Sequence, residues 1–290
     1  MLITDVAFIG LGVMGFPMAG HLANAGLNVH VYNRSKSKAD LWIEQYQGSV
    51  YDTPKQAAEG CQLVFICVGN DDDVRSVVYG DVGVLASCVA DTIVVDHTTA
   101  SADLAVELAQ ALETKGIKFL DAPVSGGQAG AENGQLTVML GGNKDDYQII
   151  QPILSHYSRF TKLIGNVGTG QQAKMMNQIC IAGIVQGLAE ALHFGQTAGL
   201  DCAAVIETIS KGAAQSWQME NRASTMLKGE YDFGFAVDWM RKDLGIALDA
   251  ARKQGSRLPL TALVDQFYAD VQQMDGGRND TSSLLRRFTN

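Results

Sequence analysis

The segment Gly10-Leu11-Gly12-Val13-Met14-Gly15 joins an apolar run, Val6–Ile9, to an amphipathic stretch, Met14–Ala25. An apolar run followed at once by Gly-x-Gly-x-x-Gly and a helical pattern is typical of the first strand, turn and helix of a dinucleotide-binding domain. In that arrangement Gly10 allows a tight turn, Gly12 lets a pyrophosphate approach the backbone, and Gly15 lets the helix pack against the strand. The N–H groups at the start of the helix then face the phosphates. We therefore predict a dinucleotide site that uses Gly10, Gly12, Val13, Met14 and Gly15.

Short apolar runs alternate with helical patterns through the first half of the chain. The predicted strands are rich in β-branched residues and are Val6–Ile9, Val29–Tyr32, Leu63–Val68, Ile93–Asp96, Phe119–Leu120 and Gly134–Gly142. The predicted helices between and after them are Met14–Ala25, Lys36–Tyr46, Lys55–Glu59, Val74–Val78, Ala102–Lys115 and Lys144–Ser155. Alternation at this spacing predicts an α/β fold of the Rossmann type, a doubly wound parallel sheet with helices on both faces.

The pattern changes near residue 165, where Gly165, Gly168 and Gly170 interrupt the sequence. Almost nothing beyond them is strand-like, and the predicted helices are Gln171–Ala198, Ala203–Ser210, Met219–Leu227, Ala236–Gln254, Thr261–Gln273 and Ser282–Phe288. A length of 290 residues is enough for two domains. We expect a dinucleotide-binding domain over residues 1–165 and an all-helical domain over residues 166–290, joined by a long helix.

Composition and charge exclude several classes of protein. Hydrophobic residues make up 47% of the chain and charged residues 18%, which is too apolar for a disordered protein. The net charge of −9 argues against a nucleic-acid partner, which would require clustered cations. The five Cys are scattered, without a Cys-x-x-Cys, so we expect no disulfide framework, no zinc site and a reducing compartment, the cytoplasm. We also expect no signal peptide and no membrane partner, because no apolar run approaches the about 18 residues of a membrane span.

The end of the second predicted strand bears on which dinucleotide is bound. An NAD-binding domain usually carries Asp or Glu about 20 residues after the glycine turn, where the carboxylate binds the ribose 2′-hydroxyl. Here the strand ends in Asn33-Arg34-Ser35, with two hydrogen-bonding side chains and a guanidinium suited to phosphate. NADP(H) is therefore favoured and NAD(H) stays possible. The other interpretation of Arg34 is a solvated loop residue, or one that stacks on adenine.

Four motifs, in order along nearly the whole chain, resemble those of the β-hydroxyacid dehydrogenases. This family includes 3-hydroxyisobutyrate dehydrogenase, tartronate semialdehyde reductase and glyoxylate/succinic semialdehyde reductase. The motifs are residues 8–19 (Phe-Ile-Gly-Leu-Gly-Val-Met-Gly-Phe-Pro-Met-Ala), residues 121–127 (Asp-Ala-Pro-Val-Ser-Gly-Gly), residues 170–178 (Gly-Gln-Gln-Ala-Lys-Met-Met-Asn-Gln) and residues 242–248 (Lys-Asp-Leu-Gly-Ile-Ala-Leu). The resemblance implies a Rossmann domain followed by a helical domain for substrate binding and oligomerisation, assembled as a homodimer or homotetramer.

Within the second motif, Ser125, Gly126 and Gly127 are the expected carboxylate site. The motif follows a predicted strand, and ligands bind at the carboxyl ends of strands in doubly wound folds. A hydroxyl and two glycine N–H groups form a compact nest for an anion. For the loop alone, a glycine-rich turn with Ser125 as a helix cap is the other interpretation.

Lys174 is the expected catalytic residue. Hydride transfer to a carbonyl leaves an alkoxide that must receive a proton, and an ammonium group also stabilises that developing charge. The family assigns this role to the lysine that matches Lys174, and the asparagine that matches Asn177 holds the substrate. The other interpretation is a solvated lysine, which the apolar neighbours Met175, Met176 and Ile179 make less attractive.

The resemblance adds further residues on the cofactor and substrate sides. Cys67, Val68 and Asn70 belong to the turn that ends a predicted strand, where the backbone of the family lines the nicotinamide ribose, and Thr99 is the expected nicotinamide-side contact. Thr99 belongs to residues 96–99 (Asp-His-Thr-Thr), which match the Asp-x-Ser-Thr of the family with two departures. Thr98 replaces the usual Ser, and the usual Pro after this motif is absent. The remaining expected residues are Lys242 at the cofactor, Asp243 at the site entrance and Phe235 at the substrate pocket.

The predicted activity is an NADP(H)-dependent oxidoreductase that interconverts a small carboxylate-bearing semialdehyde with its 3- or 4-hydroxy acid. An imine reductase of the same fold is one alternative, although such enzymes generally lack a lysine at the position of Lys174. The second alternative is a sensor that binds the dinucleotide without turnover. No metal is expected, since the His residues have no ligand spacing. We interpret His97 as a packing or loop residue, and Asp71-Asp72-Asp73 as the cap of a helix that begins near Val74.

Overall fold

The computed structural model describes residues 3–288. The chain forms two compact units, which divide between Lys174 and Met175. Each unit has a hydrophobic core of its own.

The first unit is built on one nine-stranded sheet. Its strands are β1 (Asp5–Ile9), β2 (Asn28–Tyr32), β3 (Ser49–Val50), β4 (Leu63–Ile66), β5 (Ile93–Asp96), β6 (Lys118–Asp121), β7 (Val124–Ser125), β8 (Leu136–Gly141) and β9 (Ser158–Gly165). The order β3-β2-β1-β4-β5-β6 is entirely parallel and is the Rossmann order. Strand β8 runs antiparallel to β6 and β7, and β9 pairs parallel with β8. The predicted doubly wound fold is confirmed.

Helices cover both faces of this sheet because its central strands are apolar on both sides. Val6 and Phe8 of β1 belong to one core, while Ala7 and Ile9 belong to the other, as the two-residue period of a strand requires. The helices of the unit are α1 (Gly15–Asn24), α2 (Lys36–Gln45), α3 (Pro54–Ala58), α4 (Asp71–Val78), α5 (Ala102–Glu113), α6 (Gly127–Glu132) and α7 (Lys144–Leu154).

The structure contains elements that the sequence pattern does not predict. The main one is β9, whose residues are mostly partly or fully exposed and whose Phe160 is 57% exposed. An exposed edge strand has no buried face to mark it, so its sequence resembles a loop. Helix α4 begins at Asp71 rather than near Val74, because the Asn70 side chain accepts a hydrogen bond from the Asp73 N–H at 2.9 Å and caps it.

The second unit is helical, as predicted. Helix α8 (Thr169–Thr197) begins in the first unit and continues into this one, followed by α9 (Cys202–Ile209), α10 (Trp217–Lys228), α11 (Val237–Gln254), α12 (Pro259–Gln273) and a 3₁₀ helix, Thr281–Phe288. Among residues 3–288, α8 is the one helix with the length and composition of a membrane span, and 44% of its apolar stretch is buried within the protein. Val185, Ala189 and Leu192 pack in the core of the helical unit, so α8 is a core helix.

His97 ties the ends of two strands together inside the first unit. It follows β5 directly and is 2% exposed. Its Nδ1 lies 2.6 Å from the Ala122 carbonyl oxygen after β6, and its Nε2 lies 2.8 Å from the Tyr157 hydroxyl. The ring also stacks on Phe65, with 5.5 Å between the ring centroids. His97 is therefore a packing residue, which agrees with one of the two interpretations above.

Lowering the pH should destabilise the fold through His97. Burial lowers the pKa of His97 to about 4, compared with 6.5 for the free side chain. Stability that is present above pH 6.5 is therefore lost as the pH falls toward 4, by on the order of 2 kcal/mol near pH 4.5. Urea unfolding of wild type and His97→Gln at about pH 7 and about pH 4.5 checks this, and the variant should lose less stability than wild type.

The test compares how much free energy of unfolding wild type and His97→Gln each lose between about pH 7 and about pH 4.5. Burial raises the pKa values of Asp96 and Asp121, which favours the folded state as the pH falls, in wild type and variant alike. The exposed His156 provides the control, since His156→Gln should keep the wild-type pH dependence. Equal losses in wild type and His97→Gln would contradict the argument.

Candidate active site

The glycine turn after β1 has the shape that a bound dinucleotide needs. Gly10 has φ +103°, and a Cβ there would overlap the Cys67 carbonyl oxygen. A Cβ on Gly15 would overlap the Gly10 carbonyl oxygen, so only glycine lets α1 start this close to β1. At Gly12, by contrast, a Cβ would meet nothing within 4 Å, which leaves open space above the backbone for a pyrophosphate. The start of α1 at Met14 has no side-chain cap. These residues fit a dinucleotide.

Hydrogen bonds bring the loops after β1, β2, β4 and β5 together at the carboxyl edge of the sheet. The Asn33 side chain accepts from the Leu11 N–H at 2.8 Å and donates to the Ser35 carbonyl oxygen at 3.0 Å. Farther along the edge, the Val68 N–H donates to the Thr98 hydroxyl at 3.0 Å. The structure therefore gathers at one edge all the cofactor residues predicted in the first unit, namely Gly10, Gly12, Val13, Met14, Gly15, Asn33, Arg34, Ser35, Cys67, Val68, Asn70 and Thr99.

Two cations lie at the end of β2, and each faces a carboxylate. Arg34 and Lys36 line a pocket of about 90 Å³, together with Tyr32, Asn33, Ala39, Val50, Tyr51 and Asp52. The Arg34 Nη1 lies 2.9 Å from Asp73 Oδ1, and the Lys36 Nζ lies 3.5 Å from Asp52 Oδ1. Both cationic side chains are exposed, Arg34 to 83%. The pocket therefore offers positive charge to an anion, in competition with two acidic side chains.

The segment after β6 forms a tight turn at the same edge. Ser125 ends the two-residue strand β7 and is partly exposed. Gly126 and Gly127 follow with φ +138° and +61°, a backbone conformation that residues with a side chain rarely adopt. Gly126, and not Ser125, is the N-cap of α6, without a side-chain cap bond. Ser125 therefore does not occupy the N-cap position that the other interpretation gave it.

Asp121, at the end of β6, holds the first turn of α8. Its Oδ1 accepts from the Gly168 N–H at 2.7 Å, and its Oδ2 accepts from the Gln171 N–H at 2.8 Å. Burial raises the pKa of Asp121 to about 6, against the opposing effect of these hydrogen bonds. A Cβ on Gly170 would come within 2.6 Å of the Met139 carbonyl oxygen, so glycine is needed where the helix approaches the sheet.

The Gln171 side chain makes a second connection between α8 and the sheet edge. Its Oε1 accepts from the Ala100 N–H at 3.1 Å, and its Nε2 donates to the Thr98 carbonyl oxygen at 2.7 Å. Gln171 is 1% exposed. Lys174 lies one helical turn later and is 7% exposed, so the solvated surface lysine considered above does not describe it.

The remaining predicted residues lie in the helical unit. Asp243 of α11 is 2% exposed, and its Oδ2 accepts from Gln178 Nε2 at 2.8 Å. Lys242 Nζ lies 3.2 Å from Asp243 Oδ1, and Asn177 Nδ2 donates to Gln178 Oε1 at 2.8 Å. The backbone of Phe235 is fixed separately, because its N–H donates to the buried carboxylate of Asp280 at 2.9 Å.

Three residues at these positions are not among the site residues predicted from the sequence. Lys36 is a second cation beside Arg34, and its spacing of two residues from Arg34 is a signal that could have found it. Gln171 and Gln178 stand inside a quoted motif, but nothing in the sequence says that their side chains are buried or which groups they bond. Among residues 3–288, no group of three or more His, Cys, Asp or Glu is arranged to hold a metal ion.

Two family descriptions match consecutive parts of the chain. The NAD binding domain of 6-phosphogluconate dehydrogenase matches residues 5–168. The NAD-binding domain of NADP-dependent 3-hydroxyisobutyrate dehydrogenase matches residues 168–288. Together they span nearly all of the chain.

Curated relatives match over almost their full length. An uncharacterized oxidoreductase of Shewanella frigidimarina is 66% identical over 98% of this chain and 97% of its own. The 2-(hydroxymethyl)glutarate dehydrogenase of Eubacterium barkeri is 34% identical over 97% and 93% of the two chains. The 2-hydroxy-3-oxopropionate reductase of Escherichia coli is 32% identical over 97% and 96%.

Solved structures agree with these relatives. The 3-hydroxyisobutyrate dehydrogenase of Mycobacterium tuberculosis, determined with L-serine, superimposes with a TM-score of 0.90 at 27% identity and covers 100% of both chains. Psf3, determined in complex with NADP⁺ and 2-OPP, gives a TM-score of 0.89 at 27% identity over 97% of this chain and 99% of its own.

Proposed function

The chain belongs to the β-hydroxyacid dehydrogenase family of NAD(P)-dependent oxidoreductases, and we propose that it interconverts a small semialdehyde with the corresponding 3- or 4-hydroxycarboxylate. The observation that carries the proposal is Lys174, a buried lysine one turn after a helix start that is bonded to the carboxyl edge of a Rossmann sheet. A proton donor at a dinucleotide-binding edge suits carbonyl reduction and has no use in a protein that only binds the dinucleotide.

We assign the roles residue by residue, with residues 1–165 as the dinucleotide-binding domain and residues 166–290 as the domain for substrate binding and oligomerisation. Ser125 and the N–H groups of Gly126 and Gly127 bind the substrate carboxylate, since a hydroxyl and two backbone donors suit an anion. Asn177 orients the substrate, Asp243 lies at the entrance and Phe235 forms a wall of the pocket. Lys242 contacts the cofactor. The five cysteines are scattered along the chain without a Cys-x-x-Cys, which fits a reducing compartment such as the cytoplasm.

Lys174 supplies the proton in the reductive direction. When bound, the reduced nicotinamide supplies the hydride that reaches the aldehyde carbon. The Lys174 ammonium hydrogen-bonds the carbonyl oxygen, stabilises the negative charge that develops there and donates the proton that completes the alcohol. Water then returns a proton to the neutral amine. In the oxidative direction the neutral amine accepts the hydroxyl proton.

Replacing Lys174 should strongly reduce turnover and leave cofactor binding intact. Lys174→Met keeps the length of the side chain but has no proton to donate, so we expect kcat to fall by about 10²- to 10⁴-fold. The dissociation constant for NADPH should stay within about threefold, because the substitution removes no phosphate contact. Steady-state oxidation of NADPH with glyoxylate and the semialdehydes of succinate, tartronate and methylmalonate measures this, alongside NADPH fluorescence titration.

The exposed Lys144 provides a matched control, and Lys144→Met should keep wild-type turnover. Equal kcat values for wild type and Lys174→Met would remove Lys174 from the mechanism. If wild type bound NADPH but reduced none of these aldehydes, the semialdehyde assignment would be wrong, and the imine reductase or sensor alternatives would replace it.

We further propose that NADP(H) is preferred over NAD(H). Arg34 and Lys36 supply two cations where the family places the adenosine ribose, and a 2′-phosphate adds negative charge there. Asp73 holds the Arg34 guanidinium at 2.9 Å, and Asp52 lies near Lys36. The preference for NADP(H) over NAD(H) is therefore reduced, because Asp73 and Asp52 compete with the 2′-phosphate for the two cations.

Neutralising Asp73 should strengthen the preference for NADPH. Asp73→Asn releases Arg34 and removes a charge that repels the 2′-phosphate, so we expect NADPH to bind about threefold to tenfold tighter, with little change for NADH. Asp72→Asn is the control, since it removes the same charge from the same helical turn, but Asp72 is 95% exposed and pairs with Arg75 instead. Isothermal titration with NADPH, NADH and adenosine 2′-monophosphate measures the change. A preference for NADH in wild type, unaltered in Arg34→Gln, would refute the assignment.

We also propose a homodimer or homotetramer formed through an exposed face of α8. Met176 and Phe194 are each 69% exposed, Ile184 is 41% exposed, and Cys180 and Gly187 lie between them on the same face. A contiguous apolar stripe on a long helix is typical of a protein–protein contact.

A charge placed in that stripe should dissociate the assembly. Ile184→Glu would bury an unpaired carboxylate at the contact, so sedimentation equilibrium should give a dimer or tetramer for wild type and monomers for the variant. The control is Val89→Glu, at a residue that is 69% exposed in the first unit. A monomeric wild type, or an assembly that survives Ile184→Glu, would show that the contact is elsewhere.

A further inference from the structure

Gln171 is a buried amide that no step of the reaction uses. Both ends of its side chain are bonded to the backbone of one loop, the Ala100 N–H at 3.1 Å and the Thr98 carbonyl oxygen at 2.7 Å. The Gln171 amide accepts a hydrogen bond from one residue of the loop and donates one to another residue two positions away. The backbone of a neighbouring β-strand makes the same pair of hydrogen bonds. Only one orientation of the amide allows both hydrogen bonds. If the oxygen and the NH₂ group of Gln171 exchanged places, the NH₂ group would face the Ala100 N–H and the oxygen would face the Thr98 carbonyl oxygen.

The loop that Gln171 holds is part of the predicted cofactor edge. Thr98, Thr99 and Ala100 follow β5, and the Thr98 hydroxyl accepts from the Val68 N–H of the next loop at 3.0 Å. Gln171 thus continues a chain of hydrogen bonds that starts in the loop after β4 and ends in α8. Lys174 is one turn along α8 from Gln171, so the backbone of the helix transmits the position of one to the other.

The helix does not need Gln171 to be attached to the sheet. Asp121 already accepts from the Gly168 and Gln171 N–H groups and holds the first turn of α8 against the end of β6. What the Gln171 side chain adds is the register between the helix and a different loop, the one that carries Thr99. A buried apolar side chain of the same length would fill the space but leave the Ala100 N–H without this acceptor.

From this geometry we infer that Gln171 is a positioning residue, which sets the place of the Lys174 amine relative to the loop at residues 98–100. The inference rests on the proposed role of Lys174 as proton donor. It requires that loss of the Gln171 amide reduces the rate of the chemical step rather than cofactor binding, since a misplacement of about 1 Å in a reacting group costs up to about 10²-fold in rate.

Two substitutions at Gln171 separate positioning from packing. Gln171→Met fills the space without either hydrogen bond, and we expect kcat to fall about tenfold to hundredfold, with NADPH affinity within about twofold. Gln171→Glu restores both bonds only when it is protonated, because the acid O–H then donates to the Thr98 carbonyl and the acid carbonyl accepts from the Ala100 N–H. The ionised carboxylate would face the Thr98 carbonyl oxygen without a proton to donate. The ratio of wild-type to Gln171→Glu kcat should therefore rise with pH, while the ratio for Gln171→Met stays constant.

The neighbouring glutamine provides the matched control. Gln172 is exposed, so Gln172→Met and Gln172→Glu make the same chemical changes at the next position and should keep wild-type kcat at every pH. Rates are measured with NADPH and with 4-deuterated NADPH, using the aldehyde from the panel that turns over. A slower chemical step in Gln171→Met should raise the deuterium isotope effect on kcat.

A second readout needs no turnover. Amide hydrogen exchange of the protein without cofactor should show faster exchange at Ala100 in Gln171→Met than in wild type or Gln172→Met, since the Ala100 N–H has lost its acceptor. Thermal unfolding of each variant identifies any that lost the fold. Unchanged exchange at Ala100 would overturn the hydrogen-bonding premise.

A double-mutant cycle distinguishes failure of this inference from failure of the proposed mechanism. If Gln171 acts through Lys174, adding Gln171→Met to Lys174→Met causes no further loss of kcat. A full additional loss in the double variant, or a Gln171→Glu profile parallel to wild type, would overturn the positioning role and leave Lys174 as the proton donor. A Lys174→Met enzyme with wild-type kcat would instead overturn the proposed mechanism itself.

Discussion

The carboxylate of Asp121 is the constraint on which the candidate site depends. It ends a central strand of the sheet and accepts two N–H groups from the first turn of α8 at 2.7 and 2.8 Å. The first N–H groups of a helix have no partner within the helix, so a buried helix start needs an acceptor from elsewhere. Asp121 is that acceptor, and glycine at position 170 leaves room for it. The place of Lys174 follows from this junction, because only one turn of rigid helix separates them.

Burying the Asp121 carboxylate requires its desolvation, and neighbouring residues offset part of this unfavourable free energy. Asp96 of β5 lies directly beside Asp121 of β6 in the sheet register, and burial raises its pKa to about 7. The two acids therefore repel each other when both are ionised. Each offsets part of its desolvation with backbone N–H donors, from Thr98 for Asp96 and from the start of α8 for Asp121. Loops that carry candidate site residues are thus the same segments that stabilise the two buried charges.

The sequence predicts those parts of the molecule that local chemistry determines. The glycine turn, the central strands and the helical second half have periodicities and turn residues that need no knowledge of distant contacts, and the structure confirms them. Strand β9 is not predicted, because its exposed side chains do not form the apolar face by which a strand is recognised in a sequence. The pairing of Arg34 with Asp73, 39 positions apart, and the bonds from Gln171 to residues 98 and 100 are decided by tertiary packing. The sequence alone does not say which residues these side chains contact.

The two kinds of charge at this sheet edge have different consequences for how the protein can change. At the end of β2, Arg34 and Lys36 are exposed and face exposed or partly exposed carboxylates, and exposed ion pairs contribute little to folding. Substitution there alters the electrostatic potential that an anion meets without endangering the fold. At the ends of β5 and β6, Asp96 and Asp121 are buried and hold backbone that the fold requires, so substitution there destabilises the protein before it alters chemistry. The architecture thus leaves the charges at the end of β2 open to change, while the position of Lys174, the proposed proton donor, stays fixed by the core.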